Sequence, residues 1–112
     1  MTDAVRIKNM PFSEAVDLAG LVAYAPEQVV SRTIAQNAAV SMTLFALDAG
    51  EAISTHITPG DALVVVLDGE VVLEIGGVRV PTVAGQATVM PAGIPHALYA
   101  ERRFKMLLVV VK

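Results

Sequence analysis

Residues 85–100 read GQATVMPAGIPHALYA and place a histidine shortly after a rigid corner. The spacing is Gly85, five residues, Pro91, one residue, Gly93, two residues and then His96. Proline fixes its own φ and glycine permits close backbone approach, so a Pro-x-Gly corner can aim the histidine that follows it. We therefore expect the His96 imidazole to project from one face of a short strand.

The other histidine of the chain stands forty residues upstream in a related setting. Gly50 is followed after five residues by His56, and Pro59-Gly60 comes soon afterwards. Pro-Gly suits the centre of a type II turn, so His56 is predicted at the end of a strand covering roughly 52–57. The chain has no cysteine, and any metal site would therefore use nitrogen and oxygen ligands.

Most of the remaining sequence has the character of short β-strands separated by turn residues. Asp68-Gly69 and Gly76-Gly77 are typical of two-residue hairpin loops, because these residues tolerate positive φ. Besides the strand at 52–57, the predicted strands cover 21–25, 28–36, 39–48, 62–67, 70–75, 78–83, 86–90, 95–100 and 103–111. Nine or ten strands at regular spacing favour a barrel or sandwich over a βαβ arrangement.

The one plausible helical start is PFSEAVDLAG, residues 11–20. Ser13 would cap it and Gly20 would end it after one or two turns. This predicts a short N-terminal helical turn before the first strands.

Together, the two histidine patterns resemble the motifs of the cupin superfamily, G(x)5HxH(x)3,4E(x)6G and G(x)5PxG(x)2H(x)3N. The resemblance implies an all-β fold, the RmlC-like antiparallel double-stranded β-helix or jelly-roll barrel. It implies a single domain over residues 1–112, with 1–37 as an N-terminal segment carrying extra strands and 38–112 as the barrel core. It also places both histidines in metal-ligand positions.

The first motif is degenerate. Thr58 stands at its second histidine position and Ala62 at its glutamate position, while Ala100 replaces the asparagine of the second motif. Three histidines and a carboxylate would hold iron, manganese, nickel or zinc, but here only two imidazoles remain.

The reduced ligand set leaves His56 and His96 as the candidate metal ligands. Asp61 is a weak candidate for a third, because strand alternation directs it away from the face of position 62. We expect no required cofactor, or a weakly bound divalent transition metal (Zn, Ni, Fe or Mn). The alternative is a neutral histidine pair held by hydrogen bonds to each other, to Ser54, to Thr58 or to water.

The predicted function is small-molecule binding inside the barrel, with no catalytic residue assigned. The predicted ligand pocket comprises His56, His96, Ser54, Thr58, Met42, Phe45 and Met90. One alternative is a metal-dependent dioxygenase, isomerase or decarboxylase that uses a two-histidine metal centre. Another is a sensor-like or structural dimer whose histidines titrate near neutrality.

Charge and hydropathy limit the other partners. The net charge is -3 and no basic stripe is present, so nucleic acid is not expected. No apolar run is long enough to span a bilayer, and residues 1–10 lack a secretory signal, so no membrane association and a cytoplasmic location are expected.

The last strand, FKMLLVVV, is apolar on both faces. Phe104, Met106, Leu108 and Val110 form one face, and Leu107, Val109 and Val111 form the other. A second sheet and a partner subunit would cover both, which predicts a homodimer. The alternative is a monomer whose N-terminal segment covers the outer face.

Overall fold

The computed structural model describes residues 6–112, which form two antiparallel β-sheets packed face to face. The strands are β1 (Val29–Gln36), β2 (Val40–Leu47), β3 (Ala52–His56), β4 (Asp61–Asp68), β5 (Glu70–Ile75), β6 (Val78–Val83), β7 (Ala87–Met90), β8 (His96–Tyr99) and β9 (Phe104–Val111). The larger sheet has the order β1-β2-β9-β4-β7, and the smaller sheet β3-β8-β5-β6. The predicted all-β jelly-roll fold is confirmed.

The two predicted hairpin loops have different outcomes. Gly76-Gly77 joins β5 to β6 as expected, and both glycines have positive φ, 56° and 81°. The hairpin predicted at Asp68-Gly69 is wrong, because β4 pairs with β7 and β9 while β5 pairs with β6 and β8. The chain instead changes sheets at Gly69, where a Cβ would lie 2.5 Å from the carbonyl oxygen of Arg103.

Gly60 also has a different role from the one predicted. The type II turn at Pro59-Gly60 requires positive φ at the glycine, but Gly60 does not adopt it. A Cβ at this position would lie 2.5 Å from the carbonyl oxygen of Val111. Glycine therefore permits the close approach of this loop to the end of β9.

The short N-terminal helical turn is present, but it lies later in the chain than the start predicted within 11–20. A 3-10 helix spans Leu18–Leu21, and its cap is Asp17 rather than Ser13. The Asp17 side chain accepts a hydrogen bond from a backbone amide of the first turn. The strand predicted at 21–25 is wrong, because these residues pack against the larger sheet instead of joining it. No helix within residues 6–112 has the length and apolar character needed to cross a bilayer.

Buried apolar side chains form two clusters on opposite faces of the larger sheet. The inner cluster lies between the sheets and comprises Leu47, Ala62, Val64, Val66, Val71, Leu73, Met90, Leu98, Ala100, Phe104 and Met106. The outer cluster comprises Val22, Ile34, Leu44 and Ala46, with partly buried residues of the N-terminal segment packed against it. Strand alternation separates the two, since Leu44 and Ala46 face outward while Phe45 and Leu47 face inward.

The second face of β9 is covered in part by the chain itself. Leu107 packs against the outer cluster, beneath an N-terminal segment that contributes Leu18, Leu21 and Tyr24. This part of the face matches the alternative in which the N-terminal segment is the cover. The homodimer stays a prediction.

Candidate functional site

The two histidines meet at one end of the space between the sheets. His56 ends β3, His96 begins β8, and they are direct cross-strand partners. Their Nε2 atoms are 3.1 Å apart, and the ring centroids are 4.3 Å apart at an interplanar angle of 71°. Residues forty positions apart in the chain thus converge on one point.

A β-bulge in β3 turns His56 toward the interior. Ile53 pairs with Leu98, and His56 pairs with His96, so three steps along β3 match two along β8. The extra residue reverses the alternation, and His56 falls on the same inward face as Ile53. Ser54, which shares parity with His56 in a regular strand, is exposed on the other side.

Backbone carbonyls fix the orientation of both rings. Nδ1 of His56 donates a hydrogen bond to the carbonyl of Ser54 at 2.9 Å, and Nδ1 of His96 donates to the carbonyl of Ile94 at 3.2 Å. A carbonyl oxygen only accepts, so each Nδ1 carries a hydrogen and each Nε2 presents a lone pair in the neutral ring. In this tautomer the two Nε2 lone pairs converge at 3.1 Å, an arrangement that a proton or a cation between them would stabilise.

The two rings differ in their exposure to solvent. His96 is only 2% exposed, whereas His56 is exposed. Burial lowers the pKa of His96 below its usual range, the Ile94 carbonyl opposes this shift, and the neighbouring His56 adds to it. The polar end of the site therefore opens to solvent through His56.

An apolar cavity of about 240 Å³ lies beside the histidine pair. Its lining residues are Phe45, Ile53, His56, Thr58, Ala62, Met90, His96, Ala97, Leu98, Met106, Leu108 and Val110. No Asp, Glu, Lys or Arg is among them, so the imidazoles and the Thr58 hydroxyl are its polar side-chain groups. The structure thereby brings together five predicted pocket residues: His56, His96, Thr58, Phe45 and Met90.

Two residues predicted in the pocket lie outside the cavity. Met42 packs against the outer cluster, because it is three positions from Phe45 and alternation puts the two on opposite faces of β2. Ser54 lines a groove on the outer face of the smaller sheet, a consequence of the bulge before His56. Its backbone carbonyl still orients His56.

Asp61 supports the Pro-x-Gly corner. Its Oδ1 accepts a hydrogen bond from the backbone amide of Ala92 at 2.8 Å. The backbone amide of Gly93 donates to the carbonyl of Thr58 at 2.9 Å, so the loops before β4 and before β8 are tied together. Asp61 was predicted as a weak candidate for a third metal ligand. In the structure its carboxylate instead holds the loop that leads to His96.

Several residues of the cavity wall were not predicted from the sequence. Met106, Leu108 and Val110 line the cavity from β9, and Ala62 lines it from β4. The three β9 residues lie on one of the two apolar faces of FKMLLVVV, but the pattern indicates neither which face is inward nor that part of it borders a void. Ala62 was noted only as the residue at the glutamate position. Ile53 could not be predicted as a cavity residue from the sequence. Regular alternation would place it on the opposite face from His56, and only the bulge brings both to the same face.

Comparison with known proteins identifies the family. The family model of the cupin domain matches residues 43–111, which include both histidines. The chain belongs to the cupin family. A search of curated proteins finds no match to this cupin.

Solved structures match this chain along most of its length. A conserved protein of unknown function from Streptococcus pyogenes, SPY1581, has 42% sequence identity and a TM-score of 0.94, with 99% of this chain and 97% of that chain covered. A cupin superfamily protein from Desulfitobacterium hafniense has 33% identity and a TM-score of 0.91, with 96% and 98% covered. KdgF from Halomonas sp., at 18% identity and a TM-score of 0.69, covers 80% of this chain and 83% of that chain and shares the fold.

The donor set of this cupin falls short of a resident metal site. An ion about 2.1 Å from both Nε2 atoms would see them at roughly 95°, an angle suited to two neighbouring ligand positions. Within residues 6–112, however, no group of three or more His, Asp or Glu side chains is placed to hold a metal. Ala62 presents only a methyl group to the cavity at the glutamate position. The residues fit two ligands of a metal and do not supply the rest.

Proposed function

We propose that this cupin binds a small, largely apolar organic acid inside its barrel. The observation that supports this is the apolar cavity with a histidine pair at its open, polar end. Binding sites of this kind combine apolar walls with a few polar groups that orient the ligand. The walls here come from β2, β4, β7 and β9 of the larger sheet and from β3 and β8 of the smaller one.

The cavity volume limits the size of the ligand. A water molecule occupies about 30 Å³ of liquid, so 240 Å³ corresponds to roughly eight waters, or about eight to ten non-hydrogen atoms. This is smaller than the usual range for drug-sized ligands. A monocyclic aromatic acid or a short branched acid has the appropriate dimensions.

The histidine pair favours an anionic head group. A proton or a metal cation held between the Nε2 atoms would give this end of the cavity a positive charge. The cavity lining includes no acidic side chain that would neutralise it. A ligand carboxylate would form a charge-assisted hydrogen bond at this end, while its apolar body contacts residues such as Phe45 and Leu108.

Benzoate is a suitable probe, with the isosteric neutral benzamide and with glucose as comparison ligands. We expect benzoate to shift amide resonances of cavity residues in NMR titrations, with a Kd of about 10 µM to 1 mM. Benzamide is expected to bind about tenfold more weakly, since it loses the charged contact. Glucose, which is polar throughout, is expected to give no saturable shift.

Two alanine variants make the test specific to the cavity. Ala62→Leu places a larger side chain in the cavity and is expected to abolish benzoate binding. Ala52→Leu makes the same change at an exposed position on β3 and is expected to leave it intact. Equal binding of benzoate to both variants, or equal binding of benzamide and benzoate to the wild type, would contradict the proposal.

A metal-dependent cupin enzyme is the second candidate, favoured by the convergence of two Nε2 lone pairs on one point. In that case His56 and His96 would hold a divalent metal, which would act as a Lewis acid toward an oxygen-bearing substrate. The missing carboxylate argues against tight binding, and we expect well under one equivalent of metal per chain. Elemental analysis of untagged protein tests this. Stoichiometric metal that is lost in both His56→Ala and His96→Ala would favour the enzyme.

A further inference from the structure

The hydroxyl of Thr58 has its one hydrogen already in use. Its Oγ1 donates a hydrogen bond to the backbone carbonyl of Gly60 at 2.9 Å, within the loop that joins β3 to β4. A hydroxyl group carries one hydrogen and two acceptor lone pairs. Thr58 lines the cavity, so its hydroxyl can offer a ligand only the capacity to accept a hydrogen bond.

Thr58 lies at the same end of the cavity as the histidine pair, two residues after His56. The loop that carries it runs against the end of β9 at Val111. Met106 lies five residues back along the same strand, a distance of about 17 Å. Met106 and its cross-strand partner Phe45 line the cavity away from the loop with apolar side chains. The polar side-chain groups of the cavity therefore share one end.

We propose that the ligand is a hydroxy acid, with its carboxylate at the histidine pair and its hydroxyl donating a hydrogen bond to Thr58 Oγ1. The inference rests on the proposed function, because the carboxylate must first occupy the polar end. A carboxylate only accepts hydrogen bonds, so a simple acid gives the Thr58 oxygen no partner. A hydroxyl on the ligand supplies the missing donor. Thr58 is thus the specificity-determining residue, since a polar atom left without a partner in a cavity costs free energy.

The charge of the cavity favours a hydroxyl over a protonated amine as the donor. An ammonium group would also donate to Thr58 Oγ1, but it would bring a positive charge close to the histidine pair. No acidic side chain lines the cavity to offset that charge. A neutral donor avoids this cost of burying an unpaired cation.

The shape of the cavity indicates where on an aromatic acid the hydroxyl belongs. 3-Hydroxybenzoate has ten non-hydrogen atoms, at the upper end of what about 240 Å³ holds. With the carboxylate at the histidine pair, a hydroxyl at position 3 stays near the polar end. A hydroxyl at position 4 is directed along the ring axis toward Phe45 and Met106. A hydroxyl at position 2 donates to its own carboxylate and is a poorer probe.

NMR titration of the wild type with a series of benzoates tests the inference without any substitution. 3-Hydroxybenzoate is expected to bind about tenfold more tightly than benzoate, since it adds one hydrogen bond. 3-Fluorobenzoate is similar in size but has no donor hydrogen, and it is expected to bind no more tightly than benzoate. 4-Hydroxybenzoate is expected to bind more weakly than benzoate, because its hydroxyl loses water and meets only apolar side chains.

Thr58→Val removes the hydroxyl and keeps the branched shape of the side chain. It is expected to make the Kd values of 3-hydroxybenzoate and benzoate equal, whereas Thr58→Ser is expected to keep most of the preference. The lost bond to the Gly60 carbonyl affects both ligands alike, so the ratio of the two Kd values isolates the contact with the ligand. Thr55→Val is the matched control. It makes the same change at an exposed position of β3 outside the cavity lining and is expected to leave the ratio at the wild-type value.

Failure of this inference is distinguishable from failure of the proposed function. If neither benzoate nor its hydroxy derivatives give saturable shifts in the wild type, the binding of organic acids is itself contradicted. If benzoate binds and 3-hydroxybenzoate binds no more tightly, only the role of Thr58 is overturned. An advantage of 3-hydroxybenzoate that persists in Thr58→Val overturns it as well. Should Thr58→Val fail to fold, the wild-type series and Thr58→Ser decide, and loss of the preference in Thr58→Ser down to the ratio of 3-fluorobenzoate supports the contact.

Discussion

The inner and outer clusters of this cupin share the strands of one sheet and differ in how completely they are filled. Leu44 and Ala46 of the outer cluster are fully buried under the N-terminal segment. Phe45, between them in sequence, borders the cavity on the other face. Neighbouring residues of β2 thus differ in packing, because the outward Leu44 and Ala46 fill the outer cluster while the inward Phe45 borders a void.

The contrast is clearest in a pair of leucine truncations, where the largest effect is expected. Leu44→Ala should lower the free energy of unfolding by about 2–5 kcal/mol, because it leaves a void among fully buried neighbours. Leu108→Ala should cost about 1 kcal/mol, since this side chain is partly buried and already borders a cavity. Urea unfolding measures both. An equal or larger loss in Leu108→Ala would show that the inner cluster is filled at least as well as the outer one.

Substitutions that enlarge an alanine test the same contrast between the clusters by adding volume instead of removing it. Ala46→Leu, in the filled outer cluster, should destabilise the protein by about 1–3 kcal/mol through overpacking. Ala62→Leu adds the same atoms beside the cavity and should leave stability unchanged or raise it by up to about 2 kcal/mol. Thermal unfolding of the two variants under the same conditions measures the change in stability of each. Equal destabilisation would mean that the space next to Ala62 does not accept a larger side chain.

A smaller effect is expected at Tyr24, which anchors the N-terminal segment over the outer cluster. Its hydroxyl donates to Asp68 Oδ2 at 2.5 Å, and its ring lies 4.6 Å from the guanidinium of Arg103. Tyr24→Phe keeps the ring and should cost about 1 kcal/mol of unfolding free energy. Tyr99→Phe is the control at a half-exposed position and should change nothing measurable, so an equal loss in both would exclude an anchoring role for the hydroxyl.

The smallest expected effect is on the alkaline side of the pH profile. Burial raises the pKa of Tyr24 well above its usual range, and the hydrogen bond and charge of Asp68 raise it further. A folded pKa above the unfolded value gives a contribution to stability that is complete below about pH 10 and is lost as the pH rises further. Urea unfolding between pH 8 and pH 11 should therefore show a steeper alkaline decline in the wild type than in Tyr24→Phe. Parallel declines would contradict this.

Sequence reasoning predicted local features well and failed where distant strands intervened. The hairpin at Gly76-Gly77 was predictable, because positive φ at two glycines is a local requirement. The same reasoning failed at Asp68-Gly69, where the chain crosses between sheets and the glycine is needed for close approach to Arg103. The helical start at Ser13 failed because a local capping preference was outweighed by packing of this segment against the larger sheet.

The sequence by itself determined the resemblance to the family and the antiparallel strands, because motif spacing and turn chemistry are local features. The meeting of the two histidines was implied by that resemblance and not by local geometry. Only the tertiary structure decided which face each side chain occupies. The bulge before His56 reversed the alternation that would have grouped it with Ser54, and cross-strand packing placed Met42 outside the cavity. The cavity itself is a space left between two sheets, and a pattern in one strand cannot specify how far away the opposite sheet lies.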